Sequence, residues 1–142
     1  MTAHVATAET EIDASVEAVW RALTEPELIA RYMFGSHVET DWQVGSSIRW
    51  KGEYEGKPYE DRGEVLAIEP ERKLELTHYS PLGGAEDLPE NYHTLTYLLE
   101  ADGPRTRMSL SQDNNGSEEE ARHSQAMWER VLDGLKKVAE EG

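Results

Sequence analysis

The sequence has no cysteine, which removes disulfides, thiol nucleophiles and thiolate metal ligands together and leaves the redox compartment open. Basic residues are scarce. Fourteen Lys and Arg stand against 29 Asp and Glu, for a formal charge of -15. A surface of that sign repels phosphate backbones and anionic lipid, so neither nucleic acid nor a membrane surface is an expected partner. The acidic excess is spread along the chain, apart from "SEEE" at 117–120, and reads as general solvation or salt adaptation. Long hydrophobic runs are missing too, so no membrane insertion is expected. The opening "MTAHVATAETEIDAS" lacks a basic n-region and an apolar h-region, and a cytoplasmic location is the expectation. No nucleophile motif is present, since "GSS" at 45–47 is not G-x-S-x-G, and "PLGGAEDLPE" has neither the spacing nor the charge to cradle phosphate.

What is present is a chain of 142 residues, enough for one domain, residues 1–142, with a core or a core that holds a cavity. Val5 to Ile12 alternates roughly and predicts a first strand. Ser15 is placed to cap a helix whose apolar positions Val16, Val19, Trp20 and Leu23 recur at spacings of three and four. Thr24 and Glu27 form T-x-x-E around Pro26, which predicts a second short helix opened by a capping box and stopped by Gly35.

From His37 to Asp113 the period changes to two, and turn signals divide the segment into about six strands. Parity places Ile48, Trp50 and Tyr54 on one face, and likewise Leu74, Leu76 and His78. It does the same for His93, Leu95, Tyr97 and Leu99, and for Thr106, Met108, Leu110 and Gln112. In "YEDRGEVLAI" the alternation breaks, because Tyr59 and Val65 are odd while Leu66 and Ile68 are even; a bulge near Gly63 would reconcile them. Ser117 and Glu120 then make a capping box for one long helix. Its stripe is Ala121, Ser124, Met127, Trp128, Val131, Leu132, Leu135, Val138 and Ala139. The class is therefore α+β, about seven antiparallel strands with a long C-terminal helix across one face.

Two polar residues interrupt otherwise apolar strand faces. His78 and His93 flank the segment 80–91 and invite acid–base chemistry, with Asp61 as a partner for His78 if the register turns it inward. Against that stands the plain reading of hydrogen-bonded core histidines. A zinc site lacks a third ligand at any useful spacing, so no metal and no cofactor are expected. His37 is a weaker case of the same kind. Trp20 and Trp128 lie on helical stripes and read as core, while Trp50, Tyr54, Tyr97 and Met108 suit either core or the wall of an apolar pocket.

Three stretches carry a family likeness. "IDASVEAVWRALTEPELIARY" at 12–32, "GEVLAIEPERKLELTH" at 63–78 and "MWERVLDGLK" at 127–136 resemble the START-like (SRPBCC) superfamily. Within it they resemble the branch named after the activator homologue of the heat-shock protein 90 ATPase. The resemblance implies a helix-grip fold, a curved sheet wrapped around the last helix, with a cavity between them for a small hydrophobic or amphipathic molecule. Superfamily members serve as lipid carriers, hormone receptors, aromatic polyketide cyclases and oxygenase domains, so fold does not settle function. The second short helix would lie at the pocket mouth, which implies that Tyr32, Met33 and Phe34 divide between closing the core and lining the opening. With the parity sets, the implied ligand wall is Tyr32, Met33, Phe34, Trp50, Tyr54, Leu76, His78, His93, Leu95, Tyr97, Met108, Leu110, Met127, Trp128 and Val131. Segment 80–91, with Gly83 and Gly84, would suit a lid. Passive binding of a small hydrophobic molecule is the leading expectation. An aromatase/cyclase or hydrolase enzyme using an inward histidine or carboxylate is the second, and a stress-related protein-binding module the third. The state is a monomer or a homodimer. The co-chaperone role of larger relatives uses a further N-terminal domain for which this length leaves no room.

Overall fold

The computed structural model describes residues 4–33, 35–54, 56–80, 86–115 and 117–141. Strand β1 (His4–Ile12) is followed by helices α1 (Val16–Thr24) and α2 (Pro26–Tyr32). Six strands come next: β2 (His37–Thr40), β3 (Ser47–Tyr54), β4 (Lys57–Glu69), β5 (Lys73–His78), β6 (His93–Asp102) and β7 (Arg105–Asn115). Helix α3 (Glu118–Glu141) closes the described chain. The strands form one antiparallel sheet in the order β1-β7-β6-β5-β4-β3-β2, so β2 to β7 form a meander and β1 pairs with the last strand. Helix α3 lies across β1 and β7 and packs on α1 and α2, which gives the helix-grip α+β architecture.

Local chemistry explains most of these boundaries. Ser15 accepts a hydrogen bond from the Ala18 N–H at 3.2 Å and opens α1. Ser117 does the same for α3, accepting from the Glu120 N–H at 3.1 Å. The expected capping box at Thr24 does not form. Thr24 stays in the last turn of α1, where its hydroxyl donates to the Trp20 carbonyl at 2.8 Å, and Glu25 takes the N-cap position of α2 without a side-chain bond. Proline at the first helical position, with its fixed φ and missing N–H, is then sufficient to start α2.

The expected bulge is also displaced. Pairing of β3 with β4 runs unbroken through Ile48–Gly63, whereas the β4–β5 register slips between Val65 and Ala67. Leu66 is the extra residue and turns out to solvent, so Asp61, Gly63 and Val65 share the inner face before the slip and Ile68 rejoins it after. The core follows the parity sets. Ile12, Ile48, Val65, Leu74, Leu95, Met108, Leu110, Leu132 and Leu135 are fully buried between sheet and helix. Each such side chain contributes roughly 1.5–3 kcal/mol through burial.

Candidate functional site

The inner sheet face is not uniformly filled. Leu74, Leu95 and Leu110, with Leu132 and Leu135 of the C-terminal half of α3, are fully buried in the core. Beneath the N-terminal half of α3 lies a cavity of about 640 Å³. Its apolar wall is Met33, Trp50, Met127, Trp128 and Val131; its polar side includes Ser36, Tyr59, Asp61, His78, His93, Gln112 and Ser124. Glu90, Asn91, Asn114 and Glu120 border it as well.

The polar side is built from paired groups. On β4 and β5, His78 Nε2 stands 2.9 Å from Asp61 Oδ2, and the imidazole meets Trp50 edge-on at 5.0 Å between ring centroids. Asp61 and Trp50 are cross-strand partners, and His78 faces His93 directly across β5 and β6. His93 Nδ1 donates to the Asp113 carbonyl at 2.9 Å, which places its proton on that nitrogen. The Tyr59 and Ser36 hydroxyls are 2.6 Å apart.

Gln112 organises the end of the cavity under α3. The Trp128 indole N–H, a donor only, reaches Gln112 Oε1 at 2.7 Å and so fixes which way the amide points. Gln112 Nε2 donates to Asn115 Oδ1 at 3.1 Å and to Ser124 Oγ at 3.2 Å, and the Ser124 hydroxyl donates to Asn115 Oδ1 at 2.9 Å. The exception to this pairing is Asp61. Its Oδ1 is buried and has no hydrogen-bond partner among the described residues.

The mouth is pinned by side chains of the 86–92 segment. Asp87 accepts from Arg62 at 3.0 Å and from the Tyr92 hydroxyl at 2.5 Å, Tyr92 stacks on Tyr79, and Asn114 Nδ2 donates to the Glu90 carbonyl at 2.7 Å. Gly83 and Gly84, the expected lid hinge, lie outside the described residues. No group of three or more His, Asp or Glu among the described residues is placed to hold a metal ion.

Of the residues expected to line a pocket, Met33, Trp50, His78, His93, Met127, Trp128 and Val131 meet at this cavity. Met127 is 42% exposed, a position at the rim. Tyr32, Leu76 and Tyr97 instead border a separate void of about 20 Å³, room for little more than one water, and the Tyr32 hydroxyl is taken by the Ala22 carbonyl at 2.7 Å. Leu95, Met108 and Leu110 are fully buried in the core and line no part of this cavity. Phe34 lies outside the described residues, as does the side chain of Tyr54. Sequence reasoning left Ser36, Tyr59, Gln112 and Ser124 out of the wall. Parity carried a signal for two of them, since Gln112 continues the Met108–Leu110 face and Ser124 lies on the helical stripe.

Comparison with known proteins places this geometry. The family model for "Activator of Hsp90 ATPase homolog 1-like protein" matches residues 13–140. The solution structure of ChR145 from Cytophaga hutchinsonii is similar with 46% identity, a TM-score of 0.87, and coverage of 99% of this chain and 97% of that one. CalU16 from Micromonospora echinospora, at 24% identity and TM-score 0.75 over 96% of this chain and 76% of that one, shares the fold. So does a protein from Colwellia psychrerythraea, solved as the Aha1 dimer, at 20% identity and TM-score 0.73 over 96% of each chain. A search of curated proteins returned no match. No helix among the described residues is long and apolar enough to cross a membrane. With nine-tenths of its length matched, the chain belongs to the family of activator of Hsp90 ATPase homolog 1-like proteins.

Proposed function

We propose that this chain acts as a single cytoplasmic domain that binds one small amphipathic molecule between the sheet and the N-terminal half of α3. The observation that carries the reading is the contrast on one sheet face between fully buried leucines and an opening of about 640 Å³. That volume falls within the range of small-molecule sites, and five apolar side chains facing a set of oriented polar ones suit a guest with an apolar body and a polar head. Native mass spectrometry of the purified protein, set against the same sample denatured and extracted, tests it. A discrete small mass at near-stoichiometric occupancy is expected. An empty protein whose melting temperature no lipophilic compound raises would overturn the reading, because any ligand of the folded state must stabilise it.

A second reading, acid–base catalysis on the bound molecule, is favoured by the Asp61–His78 pair in the cavity wall. His78→Ala separates the two. Binding retained with turnover lost supports an enzyme, and binding and any conversion both unchanged refutes it. Self-association follows from neither reading; the Colwellia relative was solved as a dimer, and the mass spectrum of this chain reports its own state.

A further inference from the structure

The charges around the cavity define which polar head it accepts. Asp61, Glu90 and Glu120 border it, and no Lys or Arg does. The residues outside the description add none, since they comprise Met, Thr, Ala, Phe, Glu, Pro, Leu and Gly only. Arg62, next to Asp61 in sequence, is 46% exposed and paired with Asp87 outside the cavity. Around the whole lies a net charge of -15, whose potential a low-dielectric cleft concentrates.

Asp61 gives that field a point of attachment. One oxygen is held by His78 and the other, Oδ1, is buried without a partner, while the carboxyl side chain keeps 16% of its surface open. A carboxylate in this position lacks one charge-assisted hydrogen bond. The terminal torsion of Asp is broad, so a small rotation presents the unpaired oxygen to a donor in the cavity. An incoming anion would meet three carboxylates and no fixed cation.

We propose that the cavity takes an amphiphile whose head is a protonated amine, seated on Asp61, and that it is closed to carboxylates such as fatty acids. The proposal rests on the binding reading above and sharpens it. A neutral hydroxyl head satisfies Asp61 Oδ1 but gains nothing from the field, so it binds with intermediate affinity. The surplus of a charged over a neutral hydrogen bond corresponds to about tenfold in affinity.

The test uses three anthracene probes of one body and three heads, aminomethyl, hydroxymethyl and carboxylate, titrated by fluorescence into the full chain at about pH 8, where free imidazole is neutral. The expected order is amine, then alcohol weaker by about tenfold, then carboxylate weaker still or unbound. Asp61→Asn should bring amine and alcohol within about twofold of each other. Because the head-group order is read on the unaltered protein, the proposal stands or falls even if Asp61→Asn fails to fold. A carboxylate that binds as tightly as the amine overturns it while leaving the binding reading intact, as does an amine no tighter than the alcohol. Failure of all three probes together removes the binding reading and this proposal with it.

Discussion

Replacing Gly63 by alanine should loosen both the sheet and the site. A Cβ at Gly63 would stand 1.8 Å from the Thr77 carbonyl oxygen and 2.6 Å from its carbon. Both are backbone atoms, so no rotamer relieves the clash, and β5 must recede by roughly 1.6 Å to reach ordinary contact. The cause lies in local pairing. Arg62 and Tyr79 exchange both N–H···O bonds, at 3.0 and 2.8 Å, but the Glu64 N–H goes to Thr77 Oγ1 at 2.9 Å, and the Thr77 carbonyl leans over the bare Cα of Gly63.

Moving β5 strains those three neutral hydrogen bonds and the Asp61–His78 contact. At about 1 kcal/mol net for each neutral bond, and about 2 for the charged one, the loss is about 5 kcal/mol if all four break. Alanine returns about 0.5–1 kcal/mol through reduced chain entropy. A net destabilisation of about 3 kcal/mol is expected, allowing for partial relaxation. Urea unfolding followed by tryptophan fluorescence and by far-UV circular dichroism measures it, and the fluorescence also reports Trp50, which meets His78 edge-on. Gly63→Ala within about 0.5 kcal/mol of the unaltered protein would refute the argument, since it would mean that β4 and β5 part here without cost.

Other substitutions and conditions test neighbouring contacts. Trp128→Phe removes the indole N–H from Gln112 Oε1 and leaves a buried acceptor short of its donor, so a loss of about 2 kcal/mol is expected in urea unfolding. Gly134→Ala, normally worth about 1 kcal/mol in a helix interior, should instead destabilise, because its Cβ would lie 2.7 Å from Tyr32 Cβ where α2 crosses α3; a raised melting temperature would contradict this. Burial holds the Tyr97 phenol neutral and raises its pKa, and burial followed by the nearby Tyr97 does the same for Tyr32. Their folded pKa values lie above the unfolded value near 10, so this stability is complete below that pH and is lost as pH rises toward the folded values. The slope is up to about 1.4 kcal/mol per pH unit for each group. Melting temperatures between about pH 9 and pH 12 should therefore fall more shallowly in Tyr97→Phe than in the unaltered protein.

The strands and the long helix were legible in sequence because each carries an unbroken period that burial enforces. His93, Leu95, Tyr97 and Leu99 face inward as parity requires, and so do Thr106, Met108, Leu110 and Gln112. The cavity was not legible, since parity distinguishes inside from outside but not filled from open. Leu110 and Gln112 are both inward on β7, yet one is fully buried in the core and the other lines the opening. What separates them is how the long-range packing around each is filled, which no local pattern encodes. Asp61 was legible as a partner for His78, but not the face it takes. The bulge at Leu66 rather than Gly63 decides the face of every β4 residue before it, and an exposed leucine leaves no signature in composition.

Register turns these single residues into one feature. Asp61 on β4 bonds to His78 on β5, His78 faces His93 on β6, and Gln112 Nε2 on β7 stands 3.4 Å from His93 Nδ1 on the diagonal, so the polar groups adjoin one another across four strands. Two residues further along β5, β6 and β7 the same face is Leu76, Leu95 and Leu110, and four further along β4 it is Val65, all buried. Apolar residues in the polar row would cap the core with less desolvation and fewer hydrogen-bond constraints, and such replacements of buried polar groups are often neutral or stabilising. Within the row, nearly every group is supplied with a partner: His93 by a carbonyl, Gln112 by Trp128, Asn115 and Ser124, and Tyr59 by Ser36. Only Asp61 keeps a buried oxygen without one among the described residues. A fold that satisfies its polar row so completely, and among the described residues leaves the deficit at the wall of this cavity, has its stability cost concentrated where a donor from outside the chain would offset it.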